Sequence, residues 1–94
     1  MSDLPQTLTI LYRGQPVEFT LLPDHRGYYY TCPGCGNGGH WVAITPELAH
    51  HRLIIEADGT ATFSGQPGKS DSVKCPHDGC TWHVFIRHGE AVDC

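Results

Sequence analysis

The amino-acid sequence predicts a mostly β domain of antiparallel hairpins, with a minor α contribution from one short helix. Three observations favour this fold class. Apolar and polar residues alternate over short runs, no long helical periodicity is present, and 11 glycines and 7 prolines in 94 residues supply many turns. A chain of this length forms one small domain, and such a small core is usually marginal unless a disulfide or a metal ion stabilises it.

The first 27 residues are predicted to form a β-hairpin that packs on the rest of the domain. Residues 7–12 are rich in β-branched and aromatic types, and residues 17–22 alternate again. Between them, the sequence Arg13-Gly14-Gln15-Pro16 is typical of a turn. A run with proline, aspartate and glycine over 23–27 ends this first part of the chain.

Residues 28–94 are predicted to form a second unit around two pairs of cysteines. Residues 28–31 and 41–44 are predicted strands that flank the first cysteine pair. A short helix is predicted over 46–51, because Thr45 is a suitable N-cap and is followed by a proline and a glutamate.

The remaining elements are predicted to be strands as well. Residues 53–56 and 61–63 should pair as a hairpin, since Asp58-Gly59 between them is a strong turn signal. Residues 64–71 are predicted to be a loop. Three further strands are predicted at 72–74, 81–87 and 91–94, with a turn at His88-Gly89-Glu90.

The charge of the chain counts against a role that depends on nucleic-acid phosphates. Six basic and ten acidic residues give a formal net charge of −4, and no two basic residues are adjacent. A zinc ion on four thiolates would lower this charge to about −6. Proteins that neutralise phosphates usually carry a basic cluster. Nucleic acid is therefore a disfavoured partner, although it stays open as an alternative.

The cysteines carry the clearest chemical signal. Two zinc-knuckle sequences, Cys32-Pro33-Gly34-Cys35-Gly36 and Cys75-Pro76-His77-Asp78-Gly79-Cys80, are each predicted at the tip of a hairpin. Two thiolates three residues apart can face one ion when the chain turns tightly, and the following glycine tolerates a positive φ. The sequence therefore predicts one structural Zn²⁺ per chain, held by Cys32, Cys35, Cys75 and Cys80.

His83 is the alternative fourth ligand, in place of Cys75. Cys75 is favoured because a knuckle needs both of its cysteines. In a strand that follows Cys80, Trp82 and His83 point to opposite faces. His77 is predicted to face solvent, and Cys94 is predicted to be a free thiol.

An enzymatic role is not expected. Four cysteines close the coordination of zinc, whereas a catalytic zinc keeps an open position for water. The sequence also lacks the His-Glu-x-x-His motif and the His-x-Glu triplet of zinc deaminases. The alternative is a small metalloenzyme in which His40, His77 or His83 lies beside an incompletely closed metal.

Aromatic residues predict an exposed contact surface near the knuckles. Tyr28, Tyr29 and Tyr30 are consecutive, and successive side chains of a strand alternate between its faces. Either Tyr29 or the pair of its neighbours must therefore face outward. We expect this exposed face to be the contact surface for a partner.

A set of short segments carries a family resemblance: Tyr30-Thr31-Cys32-Pro33-Gly34-Cys35-Gly36, His40, Thr62-Phe63-Ser64-Gly65, Cys80 and His83-Val84-Phe85-Ile86-Arg87-His88-Gly89. In these segments the chain resembles a family of small zinc-ribbon proteins of unknown function from bacteriophages and prophages. The resemblance covers residues 28–92 and implies a viral or mobile-element origin. Where that family has a cysteine directly before a histidine, this chain has Trp82 before His83, which keeps His83 open as a ligand.

These features together predict a non-enzymatic zinc-ribbon protein that binds another protein as an adaptor or modulator. The resemblance implies that it is phage-encoded and directed at a host macromolecule. No secretory signal and no run of 18 apolar residues is present, so we expect a cytoplasmic protein, or one in the host cytoplasm, without a membrane segment. The alternatives are a nucleic-acid-binding zinc ribbon and a small metalloenzyme.

Overall fold

A computed structural model describes residues 4–38, 40–44, 51–65, 71–75 and 77–94. Within these ranges the chain forms strands and no helix, so the predicted mostly β class is confirmed. The strands are β1 (Thr7–Tyr12), β2 (Gln15–Leu21), β3 (Gly27–Tyr30), β4 (His40–Ala43), β5 (His51–Ile55), β6 (Ala61–Gly65), β7 (Val73–Lys74), β8 (His83–Arg87) and β9 (Glu90–Asp93).

The helix predicted over 46–51 lies outside the described residues, except for His51, which begins β5. Most of the loop predicted over 64–71 lies outside them too. None of the described segments forms a helix long and apolar enough to cross a bilayer.

Seven strands form one sheet in the order β4-β3-β2-β1-β9-β8-β7, and β5 and β6 form a separate two-stranded sheet. Neighbouring strands are antiparallel except for β1 and β9, which are parallel. The N-terminal hairpin therefore occupies the middle of the large sheet. The strands that lead into the two cysteine knuckles lie on either side of it.

Two tight turns connect strands of the large sheet. In the β1–β2 turn, Arg13 and Gly14 have φ angles of 51° and 79°, and in the β8–β9 turn His88 and Gly89 have φ angles of 50° and 76°. Two-residue turns with both φ angles positive match the twist of a hairpin. The first turn is shorter than the four residues that the sequence predicted, because β2 already begins at Gln15.

The inner face of the large sheet forms the core. Phe19 on β2 stacks on Tyr30 of β3 with ring centroids 4.6 Å apart. Outward positions of the same strands are polar, as where the Thr9 hydroxyl donates a hydrogen bond to Glu18 at 2.7 Å. This alternation places the aromatic side chains of β2 and β3 next to the first cysteine knuckle.

The β5–β6 hairpin packs against the inner face of the sheet. Its strands pair as predicted, across a turn in which Gly59 has a φ of +87°. Phe63 on β6 is 1% exposed and lies 6.0 Å from the Phe19 ring. The Gly89 N–H donates to the Ala61 carbonyl at 2.8 Å, which fixes the hairpin to the β8–β9 turn.

Candidate metal centre

The first knuckle connects β3 to β4 in a tight turn. The Gly36 N–H donates to the Cys32 carbonyl at 2.8 Å, and the Cys32 N–H donates to the Asn37 carbonyl at 3.0 Å. Gly36 has a φ of +75°, which glycine adopts without a steric penalty. The Gly34 N–H points at the Cys32 Sγ at 3.3 Å. The glycines of this motif therefore both shape the turn and supply an N–H donor to sulfur.

The second knuckle connects β7 to β8 with a longer loop. The Cys75 N–H donates to the Trp82 carbonyl at 2.9 Å, which continues the β7–β8 ladder to the cysteine. The Cys80 N–H donates to the His77 carbonyl at 3.0 Å, and Gly79 has a φ of +87°. These bonds turn the chain so that both cysteines face the first knuckle.

The four knuckle cysteines bring their sulfurs to one point. The Sγ atoms of Cys32, Cys35, Cys75 and Cys80 all lie within 4.8 Å of one another. The Cys32–Cys80 and Cys35–Cys75 sulfur pairs are 3.8 Å and 3.9 Å apart. A tetrahedron of thiolates with Zn–S bonds of about 2.3 Å has sulfurs roughly 3.8 Å apart. The four residues therefore fit a zinc ion, and all five cysteines of the chain are free thiols.

This cluster joins the two edges of the large sheet. β4 and β7 are the first and last strands in its order, and each is part of a hairpin that carries one knuckle. A cavity between the two edges is lined by residues of both, including Val42 and Val73. The sheet therefore curls so that the two knuckles meet at the cysteines, and His51 of β5 also lines the cavity between the edges.

The environments of the thiols differ. The backbone N–H of Asn37, and next the His40 side chain, lower the pKa of Cys35 to about 5. Burial raises the pKa of Cys75 to about 12 and also raises that of Cys32. A bound zinc ion deprotonates coordinating thiols outright, which overcomes the cost of burying charge at these two positions.

His83 lies outside the sulfur cluster. Its Nε2 is 2.6 Å from the Ser72 hydroxyl oxygen, and it pairs with Lys74 of β7 on the outward side. Trp82 points the other way and is 5% exposed, as the strand alternation predicted. The structure thus brings the four predicted cysteines together and leaves the alternative ligand apart from them.

The structure adds His40 to the surroundings of the cluster. Its Nε2 lies 3.9 Å from the Cys35 Sγ, and its ring is 5.9 Å from that of His77, measured between centroids. From the sequence, His40 is a candidate only as a residue beside an incompletely closed metal. The sequence feature that could have indicated its proximity to the cysteines is its spacing. His40 lies five residues after Cys35, at the start of the predicted return strand. As predicted, His77 is exposed.

An aromatic pair lies on the outer face of the same hairpin. Tyr29 and Trp41 are directly opposite each other on β3 and β4, and each is 42% exposed. Tyr28 and Tyr30 are 0% and 3% exposed, so the predicted alternation of the three tyrosines is confirmed with Tyr29 outward. Cys94 is exposed, as expected for a free thiol.

Comparisons of the chain with protein-family models, with curated proteins and with solved structures find no match. Functional assignment therefore depends on the sulfur cluster and on the exposed surface. The cluster has the donor set and the spacing of a four-thiolate metal centre.

Proposed function

We propose that this chain is a non-enzymatic zinc-ribbon protein that binds another protein as an adaptor or modulator. The observation that carries the proposal is the exposed Tyr29–Trp41 pair, which lies on the hairpin that ends in the first knuckle. In this proposal the metal centre fixes the hairpin, and the aromatic pair contacts the partner.

One structural Zn²⁺ per chain is the cofactor in this proposal. Four thiolates at tetrahedral spacing fill the coordination of zinc and leave no position for a water or a substrate. Zinc that lacks an open position stabilises a fold and does not activate water. The closed donor set supports a structural metal over a metalloenzyme.

The outer face around the aromatic pair suits a protein interface. Cross-strand register places Thr7, Thr20, Tyr29 and Trp41 in one row across four strands. The row holds no charged side chain. Tyrosine and tryptophan are enriched in protein interfaces, and charged residues are depleted at the centres of such interfaces. A partner would bury the two rings beside the two threonines, while Lys74 lines a cavity together with Trp41.

Nucleic acid is the competing partner, because exposed aromatic rings on a sheet can also stack on bases. The charges of the molecule favour protein over nucleic acid. Three of the six basic residues, Arg13, Arg26 and Arg87, lie within 2.7 Å, 2.8 Å and 4.0 Å of the carboxylates of Asp93, Asp24 and Asp71. The cations that would contact phosphates are therefore partly neutralised within the chain.

We place this activity in the cytoplasm. Five unpaired thiols suit a reducing compartment, where disulfides are rare. If the resemblance to bacteriophage zinc ribbons reflects common origin, the compartment is the host cytoplasm and the partner is a host macromolecule.

Affinity capture from nuclease-treated bacterial lysate tests the proposal. The bait is zinc-loaded protein, compared with Tyr29→Ser/Trp41→Ser. The matched control is Leu11→Ser/Val92→Ser, which removes two other exposed apolar side chains of the sheet. We expect a protein that the wild type and the control retain and that the aromatic double variant loses.

Two results would contradict the proposal. One is a captured protein that all three baits retain equally, because the aromatic pair would then have no part in binding. The other is retention of nucleic acid in the micromolar range with a steep salt dependence. Non-specific DNA binding by a chain of this charge should be no tighter than roughly 10⁻⁴ M.

A further inference from the structure

We propose that His40 and His77 form a second metal site beside the four cysteines, for a borderline divalent ion such as Zn²⁺. The two histidines come from different knuckles. His40 begins β4 after the first knuckle, and His77 lies inside the loop of the second. Their ring centroids are 5.9 Å apart, with an angle of 44° between the ring planes.

This ring separation fits two imidazoles on one ion. With a Zn–N bond of about 2.0–2.1 Å, a zinc ion lies roughly 3.2 Å from the centroid of a bound imidazole. Two such rings at a tetrahedral angle have centroids roughly 5 Å apart, and at wider angles roughly 6 Å. The His40 and His77 rings are therefore already within this range.

The two side chains differ in exposure in a way that suits an exchangeable ion. His40 is half-buried, and its ring lies 6.2 Å from that of Tyr30 in an edge-to-face contact. His77 is exposed, so its ring can rotate to complete the coordination. The site would thus have one fixed imidazole and one adjustable imidazole at the protein surface.

Charge also favours a cation at this position. With zinc bound, the four thiolates and the ion carry a net charge of about −2, an argument that rests on the proposed structural zinc. The Cys35 Sγ lies 3.9 Å from the His40 Nε2, so a second ion on His40 would be close to this negative centre. Asp78, next to His77, is exposed and adds a further negative charge to the same loop.

Calorimetric titration of Zn²⁺ into protein that already holds one zinc tests the inference. Native mass spectrometry first establishes the tightly bound equivalent. We expect wild type to bind one further equivalent, and His77→Asn to weaken it at least about tenfold, since even an outer contact to a metal is typically worth that much. His25→Asn is the matched control, because it removes an exposed histidine elsewhere and should keep the second equivalent.

The result that overturns the inference is a second equivalent that is absent from wild type or unchanged in His77→Asn. His40→Asn should also lose the second equivalent while keeping the first. Loss of the first equivalent in His40→Asn would place His40 in the main centre and would also overturn the two-site arrangement. Failure of the structural-zinc proposal gives a different result from failure of the second site. In that case the wild-type protein would hold no tightly bound zinc before any titration.

Discussion

At the scale of single residues, Cys75 directly follows β7 and His83 begins the neighbouring strand β8, but the two side chains face different surroundings. The Cys75 thiol is buried within the sulfur cluster, whereas the His83 Nε2 contacts the Ser72 hydroxyl at 2.6 Å. The difference follows from the β7–β8 register. Lys74 pairs with His83, and the next residue, Cys75, donates its N–H to the Trp82 carbonyl. Because successive side chains alternate, Cys75 and Trp82 lie on the opposite face from His83.

We therefore expect Cys75→Ser to be severe and His83→Ala to be mild. A hydroxyl replaces a thiolate poorly on zinc, and metal affinity in a small metal-dependent domain is also folding free energy. Elemental analysis and thermal melting of both variants measure the effect. The reverse ranking would identify His83 as the fourth ligand, and equal mild effects would mean that neither residue binds the metal.

Gly34 is a position where the packing leaves no space for a side chain. A Cβ added there would lie 2.7 Å from the Trp82 Cβ, which is buried and cannot move freely. We expect Gly34→Ala to lower the free energy of unfolding by about 1–3 kcal/mol, as overpacking usually does. Gly38→Ala, two residues after the same knuckle, is the matched control, because the nearest atom, Thr31 Oγ1, is 3.6 Å from its added Cβ. Denaturant unfolding of both variants with zinc checks this prediction. Equal stability in the two would show that the knuckle adjusts to the added methyl.

Some residue positions could be predicted from the sequence and others could not. The outward direction of Tyr29 follows from strand alternation, which is a local rule. The proximity of His40 to Cys35 depends on the pairing of Tyr30 with His40 across the hairpin and on the path of the intervening turn. Spacing alone does not determine that register.

At the scale of elements, the β8–β9 turn carries a non-glycine residue at a positive φ. His88 has a φ of +50°, a region that few non-glycine residues adopt apart from asparagine, aspartate and histidine. We expect His88→Asn to stabilise the protein by a few tenths to about 1 kcal/mol, because Asn-Gly is the preferred pair for this type of turn. Thermal melting at matched zinc content measures the change.

The contrasting variant is Gly89→Ala in the same turn. Gly89 has a φ of +76°, and an added Cβ would lie 3.3 Å from Thr60 side-chain atoms. This variant should be less stable than wild type. If His88→Asn were also destabilising, the contacts of the histidine side chain would outweigh the backbone preference.

Local signals predicted the strands and their turns well, because hairpins depend on neighbouring residues. The Asp58-Gly59 hairpin and the strands that flank each knuckle lie close to their predicted positions. The parallel pairing of β1 with β9 has no local signal. It joins Tyr12 to Ala91, which lie near opposite ends of the sequence. Such long-range pairing is set by the collapse of the whole domain.

At the scale of the whole molecule, the cysteine cluster closes the large sheet by bringing together the hairpins at its two ends. The two edge strands belong to the hairpins that carry the knuckles, and these hairpins meet at the sulfurs. His51 of β5 also lies between the edges, with its Nε2 2.7 Å from the Ser72 carbonyl oxygen. The predicted zinc ligands followed from sequence spacing, but this closure did not. It depends on the N-terminal hairpin inserting at the centre of the sheet, and sequence patterns do not give strand order.

We expect zinc removal to open the sheet at its edges first. Chelation, or acidification that lets protons compete for the thiolates, should lower the melting temperature. Hydrogen exchange should rise most for the amides of β4 and β7 and least for β1 and β2 at the centre. Uniform exchange along all strands would mean that the cluster does not hold the edges together.

The closure of the sheet also has a consequence for aggregation. An open sheet presents unpaired N–H and C=O groups on its outermost strands, which are templates for pairing with other chains. In this structure β4 and β7 end the strand order without pairing to each other, and residues of both line one cavity together with His51 of β5. Loss of the metal would release the two knuckles that hold these edges near the β5–β6 hairpin, and more of their unpaired backbone would become accessible. The cysteine centre would thus protect the protein from self-association as well as stabilise its fold.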